Sequence, residues 1–456
     1  MKEKIVRLCV LAMCLAGPLF AQEGSVPKGV PNLDHVFVIM MENHGYNQIF
    51  NNLNAPFINE WAQSAGLANN YFAVGHPSST NYLEVVGGSN FGVRSDDYPD
   101  WHNASCTPNI VAPYYTTFDN SALNGPNTAT VICPISGKGM DAATPAFDCT
   151  NEPSPPITPI SSTNMTNCYW DINGTGLPAR SVVGKTIADQ LFEKGKSWKS
   201  YQESLPAAGA DEINISDGFF TNRTDFSPFI DDGSFSSWTP QGKDSTTVPP
   251  TPAVTVPAPT IAQASGDIVY LYAVKHNPFV YFASVQQGTH ELNSLKNVVG
   301  FDGANGLYAD LASDNVPNFS FIAPNQCNDM HGRGNAGPFC NFDANDSGVQ
   351  EGLNETLILR GDMTVQRIVS AIKGSKSWHE GNNAIVLLWD ENDYTATPNR
   401  VLTIVDTNYG YGDSVQSWNF YTHFSLLKSL EAGFGLPCLN HACDDTVKTM
   451  TDLFGK

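Results

Sequence analysis

Val36-Phe-Val-Ile-Met-Met41 runs straight into Glu42-Asn43-His44, and Ala384-Ile-Val-Leu-Leu-Trp389 runs straight into Asp390-Glu391-Asn392-Asp393. Each apolar run is short and has no polar residue on either face, the pattern of a strand covered on both sides. Phe279–Phe282, Phe319–Ile322 and Val401–Val405 read in the same way. Helical stretches fall between the runs at Pro56–Ala65, Lys185–Lys194, Asp362–Lys373 and His423–Phe434. The first opens on proline and is followed by Gly66, and the last is followed by Gly435, as helix starts and stops require. Strand and helix in alternation imply an α/β fold with a largely parallel sheet, because parallel neighbours need crossover connections.

Two stretches interrupt that rhythm, at about 93–180 and 207–262, both rich in Pro, Ser and Thr and without periodicity. Loops of such length are elaborations on a core, so the expected organisation is one domain over 22–456 carrying two insertions. Residues 1–21 are read separately. Lys2, Lys4 and Arg7 precede an apolar run from Leu8 to Phe20 that ends on Ala21, the layout of a secretory signal peptide cleaved near Ala21. Met13 is bulky where a lipoprotein box ending at Cys14 needs a small residue. The expected protein is therefore secreted or periplasmic, with no stable membrane insertion.

The remaining eight cysteines are Cys106, Cys133, Cys149, Cys168, Cys327, Cys340, Cys438 and Cys443. An even number in an exported chain favours disulfides; the local pairs Cys327–Cys340 and Cys438–Cys443 are expected, with the other four bracing 106–168. Clustered CxxC spacing for zinc is absent. The 456 residues carry 24 Lys+Arg against 45 Asp+Glu, a formal charge of -21. Removing the leader takes three positive charges and Glu3, giving -21 - 2 = -23. Such a surface repels a polyphosphate backbone, which excludes generic nucleic-acid binding.

Ligands of open α/β sheets bind beyond the carboxyl ends of the strands, so Glu42-Asn43-His44 and Asp390-Glu391 are the first candidates for a site. Carboxylates crowded at the end of a buried strand are costly unless a cation or a helix N-terminus receives them. Together the two clusters offer four or five hard oxygen donors to one divalent metal; singly, each also reads as a helix cap or a solvated loop. Gly75-His76-Pro77-Ser78-Ser79-Thr80-Asn81-Tyr82 places hydroxyls at the start of a helix. Free backbone N–H groups there bind phosphate oxygens, and a hydroxyl on a cation loses its proton more easily. The same segment also reads as an ordinary N-cap.

These motifs resemble, in order, those of the bacterial phosphoesterase family of acid phosphatases and phospholipases C, within the alkaline phosphatase-like superfamily. The likeness runs through Asp34–Tyr46, His76–Tyr82, Gly184–Asp189, Ser197–Glu203, Lys275–Pro278, Pro324–His331, Gly361-Asp362, Trp389–Glu391 and His423–Pro437. It is closer to the acid phosphatase branch. The resemblance implies a three-layer sandwich and a metal held by Glu42, Asn43, Ser78, Asp390 and Glu391. It further implies Ser78 as nucleophile, with Ser79 a competitor, and His276 and His331 as phosphate-binding or leaving-group-protonating residues. Asn43 and Asn81 are the expected substrate-binding amides. His44, His76, His290, His423, Asp329 and Asp393 are expected to be structural or to support the site from behind. Thr80 stands where the family usually has proline.

Carboxylate and amide donors suit calcium, magnesium or manganese better than a catalytic zinc. The expected function is a metal-dependent phosphomonoesterase working through a phosphoseryl intermediate, on a small phosphate ester or a phospholipid headgroup. Two alternatives stand beside it. One is a phospholipase C-type phosphodiesterase; the other is a non-catalytic, calcium-stabilised binding protein.

Overall fold

The computed structural model describes residues 23–76, 78–91, 184–205, 271–286, 290–332, 340, 343, 348–393 and 398–455. The expected leader (1–21), both expected insertions and the cysteines at 106, 133, 149 and 168 lie outside them.

The strands are β1 His35–Met41, β2 Gly66–Ala68, β3 Tyr71–Phe72, β4 Trp198–Gln202, β5 Val298–Gly300, β6 Phe319–Ala323, β7 Asn383–Trp389, β8 Thr403–Thr407, β9 Gln416–Ser417 and β10 Tyr421–Thr422. Eight form one sheet in the order β5-β4-β6-β1-β7-β8-β2-β9, while β3 and β10 pair separately. The run β5-β4-β6-β1-β7 is parallel throughout. β8 is antiparallel to both β7 and β2. The fold is thus α/β with a mostly parallel sheet, as the alternation of elements implies.

β6 and β7 bury every residue, and β1 every residue except the partly exposed His35. Both faces of the sheet centre are therefore covered. The helices Pro56–Ser64, Leu307–Ser313 and Glu355–Gly374 form one contacting group, and Ser78–Gly87, Ile187–Glu193 and His423–Phe434 a second. Glu355–Gly374 starts earlier than the expected Asp362, because the Asn354 side chain accepts from the N–H groups of Thr356 and Leu357 and caps it there. His423–Phe434 ends where expected, at Gly435 with φ 64°, a left-handed closure that glycine adopts without strain.

Phe279–Phe282 is not a strand. Pro278–Tyr281 is a 3-10 turn with proline in its first turn, and its four side chains are buried. A four-residue apolar run carries no period, so burial alone produced the strand pattern. The disulfides Cys327–Cys340 and Cys438–Cys443 are both formed, with Cα atoms 5.0 and 5.2 Å apart. Among the described residues no helix is long and apolar enough to cross a membrane.

Candidate active site

β6, β1 and β7 are neighbours and run parallel, so the loops leaving their carboxyl ends meet on one edge. Met41 pairs with Trp389, which places Glu42 and Asp390 side by side. Backbone bonds stitch the three loops together: Glu42 N–H donates to the Asp329 carbonyl (2.9 Å) and Asp390 N–H to the Met41 carbonyl (3.0 Å). Asn43 N–H donates to Asp390 Oδ1 at 3.0 Å. Asn43 and Met330 hold positive φ, 52° and 77°. Each such residue costs on the order of 1 kcal/mol or more and persists where its surroundings over-determine it; asparagine tolerates it best.

Ser78 is the first residue of its helix and is buried. Its Oγ lies 3.2 Å from Glu42 Oε2 and 3.3 Å from Glu391 Oε1, so one hydroxyl proton has two carboxylate acceptors. Glu391 is fixed from behind by Asn81 Nδ2 (3.0 Å) and by His76 Nδ1, 2.8 Å from Oε2. Asn81 also donates to the Gly75 carbonyl and accepts from the N–H groups of Val74 and Gly75. All four of its side-chain hydrogen-bonding positions are used within the chain, so it positions Glu391 and the turn before Ser78.

Glu42, Asp329, Asp390 and Glu391 are each 0–1% exposed. Burial drives the Glu42 carboxyl well above its usual range, and the charges of Asp390 and Asp329 add to the rise. Asp390 is pushed up to about 7 by burial, against the opposing pull of the Asn43 N–H. Asp329 also rises by burial, against the His331 N–H that donates to it.

His276 lies between two of these groups, Nε2 3.1 Å from Glu42 Oε1 and Nδ1 3.2 Å from Asp329 Oδ2. Tyr82 stacks on its ring, 5.3 Å between centroids. Burial, then Lys275 and His331, lower its pKa well below normal. A neutral imidazole has one N–H for two carboxyl neighbours.

His331 Nδ1 lies 2.8 Å from the Gly332 carbonyl, and Nε2 lies 3.3 Å from the Lys275 ammonium. A carbonyl only accepts and an ammonium only donates, so Nδ1 carries the proton and Nε2 the lone pair.

These donors fit a divalent cation. Asn43 Oδ1 and Asp390 Oδ2 are buried with no hydrogen-bond donor, and buried polar atoms in native proteins are otherwise paired. Of the expected ligands, Ser78 Oγ stands between Glu42 and Glu391, and the Asn43 backbone meets Asp390. One ligand atom each from Glu42, His276 and His331 lies within 4.8 Å of the others. The two histidines thus stand beside the candidate ligand Glu42, which the spacing along the chain did not reveal. Asp329 and Lys275 belong to the same cluster, although Lys275 carries no local signal beyond standing beside His276.

Two further histidines hold the backbone of the loops. His423 Nε2 donates to the Asp390 carbonyl at 2.6 Å while Nδ1 accepts from the Tyr71 hydroxyl at 3.1 Å. Its pKa is lowered by burial to about 4, which suits this neutral arrangement. His44 Nδ1 donates to the Glu42 carbonyl at 3.0 Å, and Nε2 meets Asp343. Gln48 bonds Asp393, which supports the loop from outside the cluster. His290 lies away from the cluster, its ring packed against Phe192 and its carbonyl closing the turn to Asn293.

The chain is 28% identical over 204 residues to a phosphatidylinositol-3-phosphatase of Mycobacterium tuberculosis, covering 42% of this chain and 66% of that protein. It is 21% identical over 410 residues to an acid phosphatase of Aspergillus fumigatus, covering 88% of this chain and 55% of that protein. With a phosphate-repressible acid phosphatase of Penicillium chrysogenum it shares 29% over 174 residues, covering 37% and 34% respectively. The chain thus spans between a third and two thirds of these relatives. Among solved structures it is similar to an alkaline phosphatase superfamily protein from Vibrio parahaemolyticus, at 10% identity and a TM-score of 0.42, covering 95% of this chain and 74% of that one. The model of the Phosphoesterase family matches residues 48–338, well over half of the chain, and the chain belongs to that family.

Proposed function

We propose that the chain is an exported, metal-dependent phosphomonoesterase of the acid phosphatase type, acting through a Ser78 phosphoseryl intermediate. The observation that carries this reading is Ser78 Oγ at a helix start, between Glu42 and Glu391, in a cluster of buried carboxylates. The names of the relatives support a phosphate monoester as substrate, on a small molecule or a lipid headgroup. The two disulfides support export to an oxidising compartment.

A calcium, magnesium or manganese ion held by Glu42, Asn43, Ser78, Asp390 and Glu391 would neutralise phosphoryl charge and ease loss of the serine proton. The Ser78 proton passes to the facing carboxylate of Glu42 or Glu391. Ser78 Oγ bonds to phosphorus in line as the bond to the leaving oxygen breaks. Asn43 and the first N–H groups of the Ser78–Gly87 helix donate to the non-bridging oxygens. His331 is partly exposed while His276 is enclosed by Glu42, Asp329 and Tyr82. His331 is therefore the histidine placed to take up a proton from water at Nε2 and pass it to the leaving alcohol, and His276 orients Glu42. Water then attacks the phosphoserine, restoring the hydroxyl and releasing phosphate.

Ser78→Ala tests the assignment with p-nitrophenyl phosphate as substrate. Turnover should fall at least about 1,000-fold, more than 4 kcal/mol of transition-state stabilisation, with an unchanged melting temperature. A loss below about tenfold in a folded protein rejects Ser78 as the nucleophile.

A further inference from the structure

We propose that Glu203 is a positioning residue for the reaction: its carboxylate, through Asn325 and Asn328, fixes the loop whose tip delivers Asp329 and His331 to the site. This role rests on the phosphate-ester reading above, with His331 as the acid, and adds to it a residue that acts from behind.

Glu203 stands where two neighbouring strands end together. β4 and β6 are parallel, and Gln202 pairs with Ala323, so Glu203 leaves β4 at the level where the loop 324–332 leaves β6. Its N–H donates to the Ala323 carbonyl at 3.0 Å. Glu203 Oε2 accepts from the Asn325 N–H at 2.9 Å, and Asn328 Nδ2 lies 2.9 Å from both Glu203 oxygens. Asn328 is 0% exposed, and its Oδ1 accepts at 2.8 Å from Arg360 of the Glu355–Gly374 helix. A carboxylate only accepts and a guanidinium only donates, so the amide between them is fixed in one orientation. Arg367 of the same helix stands 3.7 Å from Glu203 Oε1.

The loop passes this anchoring on to the site. The Asn325 carbonyl accepts from the N–H groups of Asn328 (2.8 Å) and Asp329 (2.9 Å), and the Gln326 carbonyl from that of Gly332 (2.7 Å). The segment thus closes on itself, with Asp329, Met330 and His331 at its tip. There His331 N–H donates to Asp329 Oδ1 at 2.7 Å, and Asp329 Oδ2 lies 3.2 Å from His276 Nδ1. Met330 keeps φ at 77°, a conformation that persists where its surroundings over-determine it. Asn325 and Asn328 form the base of this closed segment, and the base is what Glu203 holds. Glu203→Gln must turn an NH2 group toward the two asparagines or toward Arg367, all of which donate there. The base then shifts, and the tip moves with it.

The test measures kcat/KM of wild type, Glu203→Gln and His331→Ala on phenyl phosphate and 2,4-dinitrophenyl phosphate, in saturating magnesium, manganese or calcium, whichever supports wild-type turnover. Dinitrophenolate leaves without a proton and phenolate needs one, so a misplaced acid is felt chiefly on phenyl phosphate. Glu203→Gln should lose about 10- to 100-fold on phenyl phosphate, the cost of a displacement of about 1 Å. Its ratio of dinitrophenyl to phenyl turnover should rise at least about tenfold, whereas a protein that is merely less stable loses equally on both. His331→Ala should raise the same ratio; where it does, an unchanged ratio in Glu203→Gln overturns the role. If His331→Ala leaves the ratio as it was, the acid assignment fails, and amide exchange followed by mass spectrometry decides for Glu203 alone. Exchange over 325–332 should quicken at least about tenfold in Glu203→Gln while β1 and β7 stay protected, and unchanged exchange overturns the anchoring. If Glu203→Gln does not fold, Glu203→Asp, which keeps the charge and gives up one methylene of reach, carries the same test, and a wild-type ratio with wild-type exchange refutes the role.

Discussion

Loading the metal-free protein with a divalent cation should release protons, and the affinity should fall steeply as the pH drops. Asp390 has its pKa near 7, and burial holds Glu42 well above the normal carboxylate range. Both belong to the proposed ligand set and must ionise to bind a cation. At pH 6 Asp390 is mostly protonated, and each proton displaced makes the apparent affinity fall about tenfold per pH unit, about 1.4 kcal/mol. Between pH 7 and 5 the affinity should therefore weaken by about 100-fold if Asp390 alone releases its proton, and by up to about 10,000-fold if Glu42 does so too. Calorimetry at pH 6 in two buffers of different ionisation enthalpy counts the protons directly. The stability of the metal-free protein should move in the same sense. A carboxyl whose folded pKa is raised contributes stability that is complete below its unfolded value near 3.8 and is lost as pH rises through about 7. The melting temperature without metal should therefore decline from pH 5 to 8, and the gain on adding metal should grow over the same window. No proton release at pH 6, together with an affinity that changes less than about threefold between pH 5 and 7, refutes the assignment of Glu42 and Asp390 as ligands.

Asp362 supplies a second pH effect, away from the metal: it is pushed up to about 7 by burial although Phe57 and Ile58 N–H groups donate to it, at 3.1 and 2.8 Å. With metal saturating, wild type should still lose stability as pH rises from 5 to 8, and Asp362→Asn should flatten the slope of the denaturant midpoint; an identical slope in the variant sinks the attribution. Gly361→Ala sets two effects against each other. Alanine favours the helix by about 1 kcal/mol, but its Cβ would meet Met330 Cγ at 2.4 Å, beside Asp329 and His331. The expected outcome is a stability within about 1 kcal/mol of wild type and kcat/KM lowered about tenfold, and full activity would show that Met330 yields without moving its loop.

What the sequence makes legible here depends on how locally each feature is encoded. β1 and β7 are apolar from Val36 and Ala384 onward and have acidic endings, so their burial and the site at their ends can be read together. The start of the Ser78–Gly87 helix is equally local. β4 escaped notice because Trp198-Lys-Ser-Tyr-Gln202 reads as polar, yet Ser200 and Gln202 are buried. They pair with each other and with Asn277, and such partners come from tertiary structure. β2, β5, β9 and β10 are two or three residues long, too short to show any period. The Glu42–His276–His331 group draws on three distant segments, so chemistry at Glu42 could be anticipated while its lysine and second carboxylate could not. Asn81 is a case where residue type says less than tertiary structure: its side chain is bonded to the Gly75 turn and to Glu391, partners that the local sequence does not show.

The acid balance of the chain also takes on a specific meaning. A formal charge of -21 would oppose an anionic substrate only if it acted at long range, and salt screens exposed charges beyond about 8 Å at physiological ionic strength. What substrate meets in the pocket is the local charge, and this is where the four buried carboxylates lie. Their cost is partly met by protonation, as the raised pKa values of Glu42, Asp329 and Asp390 indicate, and protonated acids repel phosphate far less than ionised ones. A cation that displaces those protons replaces neutral groups by ionised ones, so its own charge is largely spent on its ligands. Lys275, buried beside His331, is a cation in the same cluster, and its charge pulls the pKa of Glu42, Asp329 and Asp390 downward. An acidic pocket for an anionic substrate is thus workable where protons or a cation offset its carboxylates.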